Sequence, residues 1–104
     1  MKTITICGSM RFANEMKKIA FELEAMKGCN VLQCIYNDAA REITPVMKEH
    51  INAAHLEKIK MSDMIYVVDI NGYIGETVKK EIEFAREHQK EIVFYSKDFS
   101  RKTV

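Results

Sequence analysis

Glu81 is a carboxylate that falls among the apolar positions of a predicted helix. Val78, Ile82 and Ala85 recur at helical spacing and form the stripe that faces the core. Glu81 follows Val78 by three residues and precedes Ala85 by four, so it shares that face. A carboxylate in this place is partly desolvated but kept ionised by the helix dipole, which suits a nucleophile or a group that binds sugar hydroxyls. In the alternative interpretation, its head lies at the edge of the stripe and reaches solvent.

A second candidate is the segment from Gly8 to Arg11, which joins a strand-like run to a predicted helix. Its backbone N–H groups, including that of Met10, the helix dipole and the Arg11 guanidinium together suit a phosphate or another anion. A single glycine is weak evidence for such a site. The alternative is that Gly8 makes a tight turn, Ser9 caps the helix and Arg11 is solvated.

Three further residues lie where chemistry is possible. His55 shares a stripe with Ile51 and Ile59, and spacing alone favours a core or helix-edge histidine. Asp69 ends the third predicted strand, where a carboxylate either binds ligand or caps the following loop. Tyr73 follows in that loop and can stack on a base or cover the edge of the core.

The cysteines show no spacing typical of a metal site. Cys7 falls in a strand, and Cys29 and Cys34 have no histidine nearby at metal-ligand spacing, so we interpret all three as structural thiols. An odd number of cysteines without such pairing indicates reduced thiols in a reducing compartment. We therefore predict no metal, no cofactor and a cytoplasmic location.

The composition limits the classes of function. A length of 104 residues suits one domain with one core. Sixteen Lys and Arg against fifteen Asp and Glu leave a net charge of +1, which argues against a nucleic acid polymer or a membrane surface as partner. The apolar runs are too short to span a bilayer, and no signal-peptide core follows the N-terminus. A small molecule remains as the expected ligand.

The hydrophobic pattern predicts strands that alternate with helices. The strands are Thr3–Cys7, Val31–Ile35, Met64–Val68 and Glu91–Tyr95. The helices are Arg11–Lys27, Pro45–Lys60 with Thr44 as its cap, and Thr77–His88. The polar tail from Lys97 to Val104 is predicted to fray or to pack on a partner.

This alternation predicts one α/β domain over residues 1–104. We expect a doubly wound, Rossmann- or flavodoxin-like parallel sheet of four to five strands in the order 2-1-3-4. Ligands bind such sheets beyond the carboxyl ends of the strands, which selects the loops Gly8–Arg11, Tyr36–Glu42 and Asp69–Glu76. A small sheet with exposed edges also favours self-association, most simply as a homodimer.

Several short motifs, taken together, resemble the nucleoside 2-deoxyribosyltransferase superfamily, which includes the deoxynucleoside monophosphate N-glycosidases. The resemblance extends from about Ile4 to Tyr95, nearly the whole chain. Its order and spacing are more specific than any single match. The motifs are Ile6-Cys7-Gly8-Ser9-Met10-Arg11, His55-Leu56 with Ile59 and Ser62-Asp63, then Asp69, Gly75 and Glu81-Ile82-Glu83-Phe84-Ala85.

The resemblance implies N-glycosidic chemistry on a nucleoside or its 5′-monophosphate, as transfer or hydrolysis. It matches Glu81 to the family's nucleophile, with Asp69 expected to position the ribose. His55 stands where many members carry an acidic residue and is expected to act as an acid or hydrogen-bond donor. The predicted substrate-binding residues are Gly8, Ser9, Met10, Arg11, Tyr73 and Gly75. The alternative function is a non-catalytic nucleotide-binding or regulatory module with the same fold.

Overall fold

The computed structural model describes residues 1–99 as a four-stranded parallel sheet with helices on both faces. The strands are β1 (Thr3–Gly8), β2 (Asn30–Leu32), β3 (Met64–Val68) and β4 (Glu91–Phe94), in the order β2-β1-β3-β4. The predicted α/β class and strand order are therefore confirmed. Residues 100–104 of the predicted polar tail lie outside the described part of the chain.

Three α-helices connect the strands: α1 (Ala13–Phe21), α2 (Pro45–Met61) and α3 (Glu76–Glu87). The predicted first helix is interrupted at both ends, by a 3-10 turn at Met10–Phe12 and a π-helical turn at Glu22–Met26. Two further 3-10 turns follow the sheet, at Ile70–Gly72 and Tyr95–Lys97. None of the helices within residues 1–99 is both long and apolar enough to cross a membrane.

The second strand is shorter than predicted, because it ends at Leu32 rather than at Ile35. It is an edge strand that pairs only with β1 among the described strands. Directly after it, the Gln33 carbonyl accepts a hydrogen bond from Lys58 Nζ at 2.7 Å instead of a ladder bond. The chain then runs without regular secondary structure from Gln33 to Thr44, and we call this stretch the β2–α2 segment.

Alternation along β1 distributes its side chains between two cores. Ile4 and Ile6 face α1, in the cluster that contains Met16. Cys7 faces the opposite side, in the cluster that contains residues of α2 and α3 such as Ile59. β1 thus presents a thiol to the same layer that holds the inner stripes of α2 and α3.

The C-terminal half of α2 is fixed to β1 by buried hydroxyls. Thr5 Oγ1 donates to the Lys58 carbonyl at 3.0 Å and also contacts Ser62 Oγ. At the other end, Thr44 caps the helix by accepting from the Met47 N–H at 3.2 Å. This attachment sets the position of the buried His55, whereas residues 45–50 are exposed.

Candidate active site

A cavity of about 810 Å³ lies beyond the carboxyl ends of β1 and β2. Its wall is formed by the end of β1, the β2–α2 segment, one face of α2 and the first turns of α3. The volume falls in the range of pockets that hold ligands such as nucleotides. Its place is the one expected for ligands of parallel α/β sheets.

The cavity brings together most of the predicted site residues. Those that line it are Gly8, Ser9, Met10, His55, Gly75 and Glu81. Arg11, Asp69 and Tyr73 are not among the described residues that line it.

Three side chains from three elements meet at the inner end of the cavity. His55 Nε2 of α2 lies 3.5 Å from Glu81 Oε1 of α3 and 3.5 Å from Cys7 Sγ of β1. The side chains of His55 and Glu81 are only 8% and 12% exposed. Cys7 is fully buried behind them. The predicted inward orientation of Glu81 therefore places its carboxyl group in a cluster with an imidazole and a thiol.

Burial controls the protonation of this cluster. Loss of solvent raises the pKa of Glu81 to about 7, although a hydrogen bond with Cys7 acts in the opposite direction. Burial, with a smaller contribution from the positive charge of Lys58, lowers the pKa of His55 to about 4. At neutral pH, His55 is therefore a neutral imidazole beside a carboxyl group that is partly ionised, and the two do not form a full salt bridge.

Burial also sets the protonation state of the Cys7 thiol. Burial, followed by the negative charge of Glu81, raises the pKa of Cys7 well above its usual value. The thiol is thus protonated at neutral pH and can donate a weak hydrogen bond to its neighbours.

Two helix N-termini border the cavity, that of the 3-10 turn before α1 and that of α3. Ser9 Oγ accepts a hydrogen bond from the Arg11 N–H at 3.3 Å and caps the 3-10 turn that precedes α1. Across the cavity, α3 begins after Gly75, and Thr77 in its first turn lines the wall. Unpaired N–H groups at such termini favour anions.

Arg11 and Tyr73 contact each other at the surface instead of pointing into the cavity. The Arg11 guanidinium carbon lies 3.9 Å from the centroid of the Tyr73 ring, a cation–π arrangement. The same ring meets Phe12 edge-on, with centroids 6.0 Å apart. Their roles in substrate binding stay predictions.

Asp69 joins the end of β3 to the turn after β4. Its carboxylate accepts hydrogen bonds from Ser96 N–H at 2.8 Å and from Ser96 Oγ at 2.7 Å. The side chain is buried, and these contacts hold two neighbouring connections together. Its predicted role in positioning a ribose stays a prediction.

The sequence did not indicate several residues that the structure adds to the site. The sequence indicates only a structural thiol at Cys7, and the alternation of β1 places that thiol on the face of Thr5 without indicating its partners. Asn52 and Lys58 of α2 also line the cavity, one turn to either side of His55. Helical spacing was the available signal for both, but their polar side chains indicated an exposed face.

The fold is shared with a known enzyme. No protein-family model matches the chain, and no curated protein sequence shows a significant match. Among solved structures, the chain is similar to the CMP N-glycosidase BcmB of Clostridium botulinum. The TM-score is 0.57 at 17% sequence identity, and the match covers 89% of this chain and 70% of that chain. At this level of identity, the similarity shows that the chain has the α/β fold of a CMP N-glycosidase.

Proposed function

We propose that the protein cleaves or transfers at the N-glycosidic bond of a nucleoside or its 5′-monophosphate, with Glu81 as the nucleophile. The observation that carries the proposal is the buried Glu81 carboxyl group in the wall of a nucleotide-sized cavity. A fold shared with a CMP N-glycosidase supports the choice of reaction. The motif resemblance, which extends from about Ile4 to Tyr95, supports the same choice.

The chemistry follows the double displacement of retaining glycosidases. One oxygen of ionised Glu81 attacks the anomeric carbon of the sugar and forms a C–O bond. The C–N bond breaks, and the base leaves with the bonding electrons and takes up a proton from water in the open cavity. Water then attacks the same carbon, the C–O bond to Glu81 breaks with its electrons returning to the carboxylate, and the proton lost by the water passes to solvent. If a second base attacks instead of water, the result is transfer.

His55 is proposed as a positioning residue. With its pKa lowered to about 4, it is neutral at pH 7 and is a poor general acid. Its Nε2 lies 3.5 Å from Glu81 Oε1 and can hold the carboxyl group in one orientation. Of the two roles expected for His55, acid or hydrogen-bond donor, we propose the second.

Lys58 is proposed to stabilise the leaving base. It lines the cavity, and its ammonium group donates to the Gln33 carbonyl at 2.7 Å, which leaves N–H groups for a ligand. A fixed positive charge in a partly dry cavity stabilises negative charge that develops on the departing base.

The phosphate of a 5′-monophosphate would bind at the two N-termini that border the cavity. Gly8, Ser9 and Met10 offer backbone N–H groups on one side, and Gly75 and Thr77 lie on the other. Arg11 would contribute through its charge near this end, while its guanidinium stays on Tyr73.

The test is to incubate the protein with a panel of deoxynucleosides, ribonucleosides and their monophosphates and to quantify free base by chromatography. Glu81→Gln keeps the size of the side chain and should reduce base release by about 10³-fold or more, the scale expected when a nucleophile is removed. Glu83→Gln is the matched control, because Glu83 is an exposed residue of the same helix that pairs with Arg86. It should keep wild-type activity.

Two outcomes would contradict the proposal. Undiminished turnover by Glu81→Gln would show that Glu81 is not the nucleophile. A panel in which nucleotides raise the melting temperature of the wild type but no base appears would instead support the non-catalytic binding module. Intact-mass measurement of quenched reactions adds a direct readout, since a covalent intermediate adds the mass of the glycosyl group to Glu81.

A further inference from the structure

We propose that Cys7, His55 and Glu81 form a binding site for a divalent transition-metal ion of the Zn²⁺ class at the inner end of the cavity. The three side chains offer one thiolate, one imidazole nitrogen and one carboxylate oxygen, and these atoms all lie within 4.8 Å of one another. They come from positions 7, 55 and 81, so no local spacing in the sequence could indicate them.

Two of the three ligand separations agree with tetrahedral coordination. Zinc binds sulfur at about 2.3 Å and nitrogen or oxygen at about 2.0–2.1 Å, so tetrahedral ligands lie about 3.5 Å apart for S and N and about 3.3 Å apart for N and O. The separation of Cys7 Sγ from His55 Nε2 is 3.5 Å, and that of His55 Nε2 from Glu81 Oε1 is 3.5 Å. The third separation, between Cys7 Sγ and the Glu81 carboxylate, is at most 4.8 Å. A tetrahedral ion requires about 3.5 Å between sulfur and oxygen, so the ion would draw these two side chains together to that separation.

The ligand set also suits this class of ion. Thiolate and imidazole select zinc and its neighbours over Mg²⁺ and Ca²⁺, which prefer oxygen ligands alone. His55 and Glu81 line the cavity and Cys7 lies behind them, so the fourth position faces the cavity and is open to water or an anion. Binding displaces the thiol proton of Cys7 to solvent, since only the thiolate coordinates the metal.

Two features limit the affinity. His55 Nδ1 is buried and has no hydrogen-bond partner among residues 1–99, whereas metal-bound histidines usually donate this N–H to an oxygen. The absence of such a partner weakens metal binding by roughly 10- to 100-fold. The positive charge of Lys58 acts near the same imidazole and opposes a cation. A reversible site is therefore expected rather than a permanently filled structural one.

Occupation of this site would block the chemistry proposed above. A metal bound to the Glu81 carboxylate withdraws the electron pair that the displacement needs. Zinc binding and N-glycosidic turnover therefore exclude each other, a consequence that rests on the proposed function. The metal site itself does not depend on the proposed function, because it is defined by the three side chains alone.

The experiment uses Co²⁺ as a spectroscopic substitute for Zn²⁺ on the full chain after treatment with a chelator. The wild type should develop a thiolate-to-cobalt charge-transfer band and the visible bands of four-coordinate cobalt, and Zn²⁺ should displace both. Zn²⁺ should also raise the melting temperature. A wild-type protein that shows neither the charge-transfer band nor a shift in melting temperature would overturn the proposal without any variant.

Variants then identify the ligands. Cys7→Ser should remove the charge-transfer band, and His55→Gln and Glu81→Gln should each weaken binding by at least about 10-fold. Cys29→Ser is the control, since this thiol lies outside the cluster and should leave the spectrum unchanged. A band that survives in Cys7→Ser, or is lost in Cys29→Ser, would place the metal elsewhere.

Failure of this test leaves the proposed function intact, because base release is measured with the metal-free protein. Conversely, a cobalt spectrum without base release would retain the metal site and remove the glycosidic activity. If the protein both binds the metal and releases base, Zn²⁺ should inhibit base release in proportion to the occupancy read from the spectrum.

Discussion

Folding shifts the pKa values of His55 and Glu81 in opposite directions. The pKa of His55 falls from 6.5 to about 4, so between these values the unfolded chain binds a proton that the folded chain lacks. The pKa of Glu81 rises from 4.5 to about 7, so between these values the folded chain binds a proton that the unfolded chain lacks. Stability therefore falls with falling pH through His55 and with rising pH through Glu81.

The two effects should nearly cancel between about pH 4.5 and 6.5, where each alone has a slope of up to about 1.4 kcal/mol per pH unit. Of the other groups near the pair, Cys7 and Cys34 have raised pKa values and stay protonated, and Lys58 contributes a positive charge. We expect the variants to reveal opposite slopes. His55→Gln should lose stability as pH rises through this window, and Glu81→Gln should gain it.

The measurement is urea unfolding at a series of pH values with a chelator present, and each variant is compared with the wild type. Opposite signs of the two pH slopes, relative to wild type, are the expected result. Slopes of the same sign would show that the pair titrates as one ion pair instead.

The orientation of Glu81 could be predicted from the sequence, but its neighbours could not. The inner stripes of α2 and α3 follow from helical spacing, which placed both His55 and Glu81 toward the sheet. Their contact with each other and with Cys7 depends on how far each helix is displaced along the strands. That displacement is set by contacts between distant residues, such as Thr5 with Lys58, which carry no local signal.

The close packing of β1 against β3 and α1 requires Gly8, the glycine that ends the strand. A Cβ atom on Gly8 would lie 3.0 Å from Met16 Sδ and 3.3 Å from both Cβ and the carbonyl oxygen of Val68. We expect Gly8→Ala to lower the free energy of unfolding by about 1–3 kcal/mol, because the added methyl group overpacks the junction of β1, β3 and α1.

Gly75→Ala is the matched control for this effect. A Cβ atom there meets only Tyr73, at 3.7 Å or more, and the backbone conformation is open to any residue. Its cost should stay below about 1 kcal/mol, mainly because alanine is a poorer N-cap than glycine. Equal losses in chemical denaturation of the two variants would contradict the overpacking argument.

The order of elements was predictable, whereas the ends of several elements were not. Alternating strands and helices with a short parallel sheet permit few topologies, and the order 2-1-3-4 is among the simplest. The early end of β2 has no signal in the sequence, because Gln33-Cys34-Ile35 has strand-like composition. In the folded chain a lysine side chain from α2 binds the Gln33 carbonyl, and that tertiary contact overrides local propensity.

At the scale of the whole molecule, an apolar surface lies at the exposed start of α2. Ile43, Val46 and Met47 are 40%, 58% and 40% exposed and lie within five consecutive positions, and Ile43 and Met47 also line the cavity. Such a cluster is typical of an interface between chains. The homodimer predicted from the sequence stays a prediction, and this surface beside the cavity is where we expect the partner chain to pack.

We expect the wild type to have twice the mass of one chain by light scattering after size-exclusion chromatography. Val46→Glu should shift it toward a single-chain mass, since a charge would be buried in the interface. Met26→Glu is the control, because Met26 is 70% exposed beyond α1 on the opposite face of the sheet. A wild type that elutes as a monomer, or equal dissociation by both variants, would contradict the assignment to α2.

The β2–α2 segment forms one wall of the cavity and is mostly exposed, and only its Cys34 and Tyr36 pack partly against the core on the α1 side. The Asn37 side-chain amide exchanges two hydrogen bonds with the Arg41 backbone within the segment. An ion pair between Lys17 and Asp38 and a hydrogen bond from Lys58 to the Gln33 carbonyl attach the segment to α1 and α2. Insertions or substitutions in the segment's exposed residues 37–44 would change the shape presented to a ligand at little cost to folding. Ligand preference can therefore diverge among descendants of this chain, by natural drift or by directed evolution, while the reactive carboxyl group on α3 stays in place.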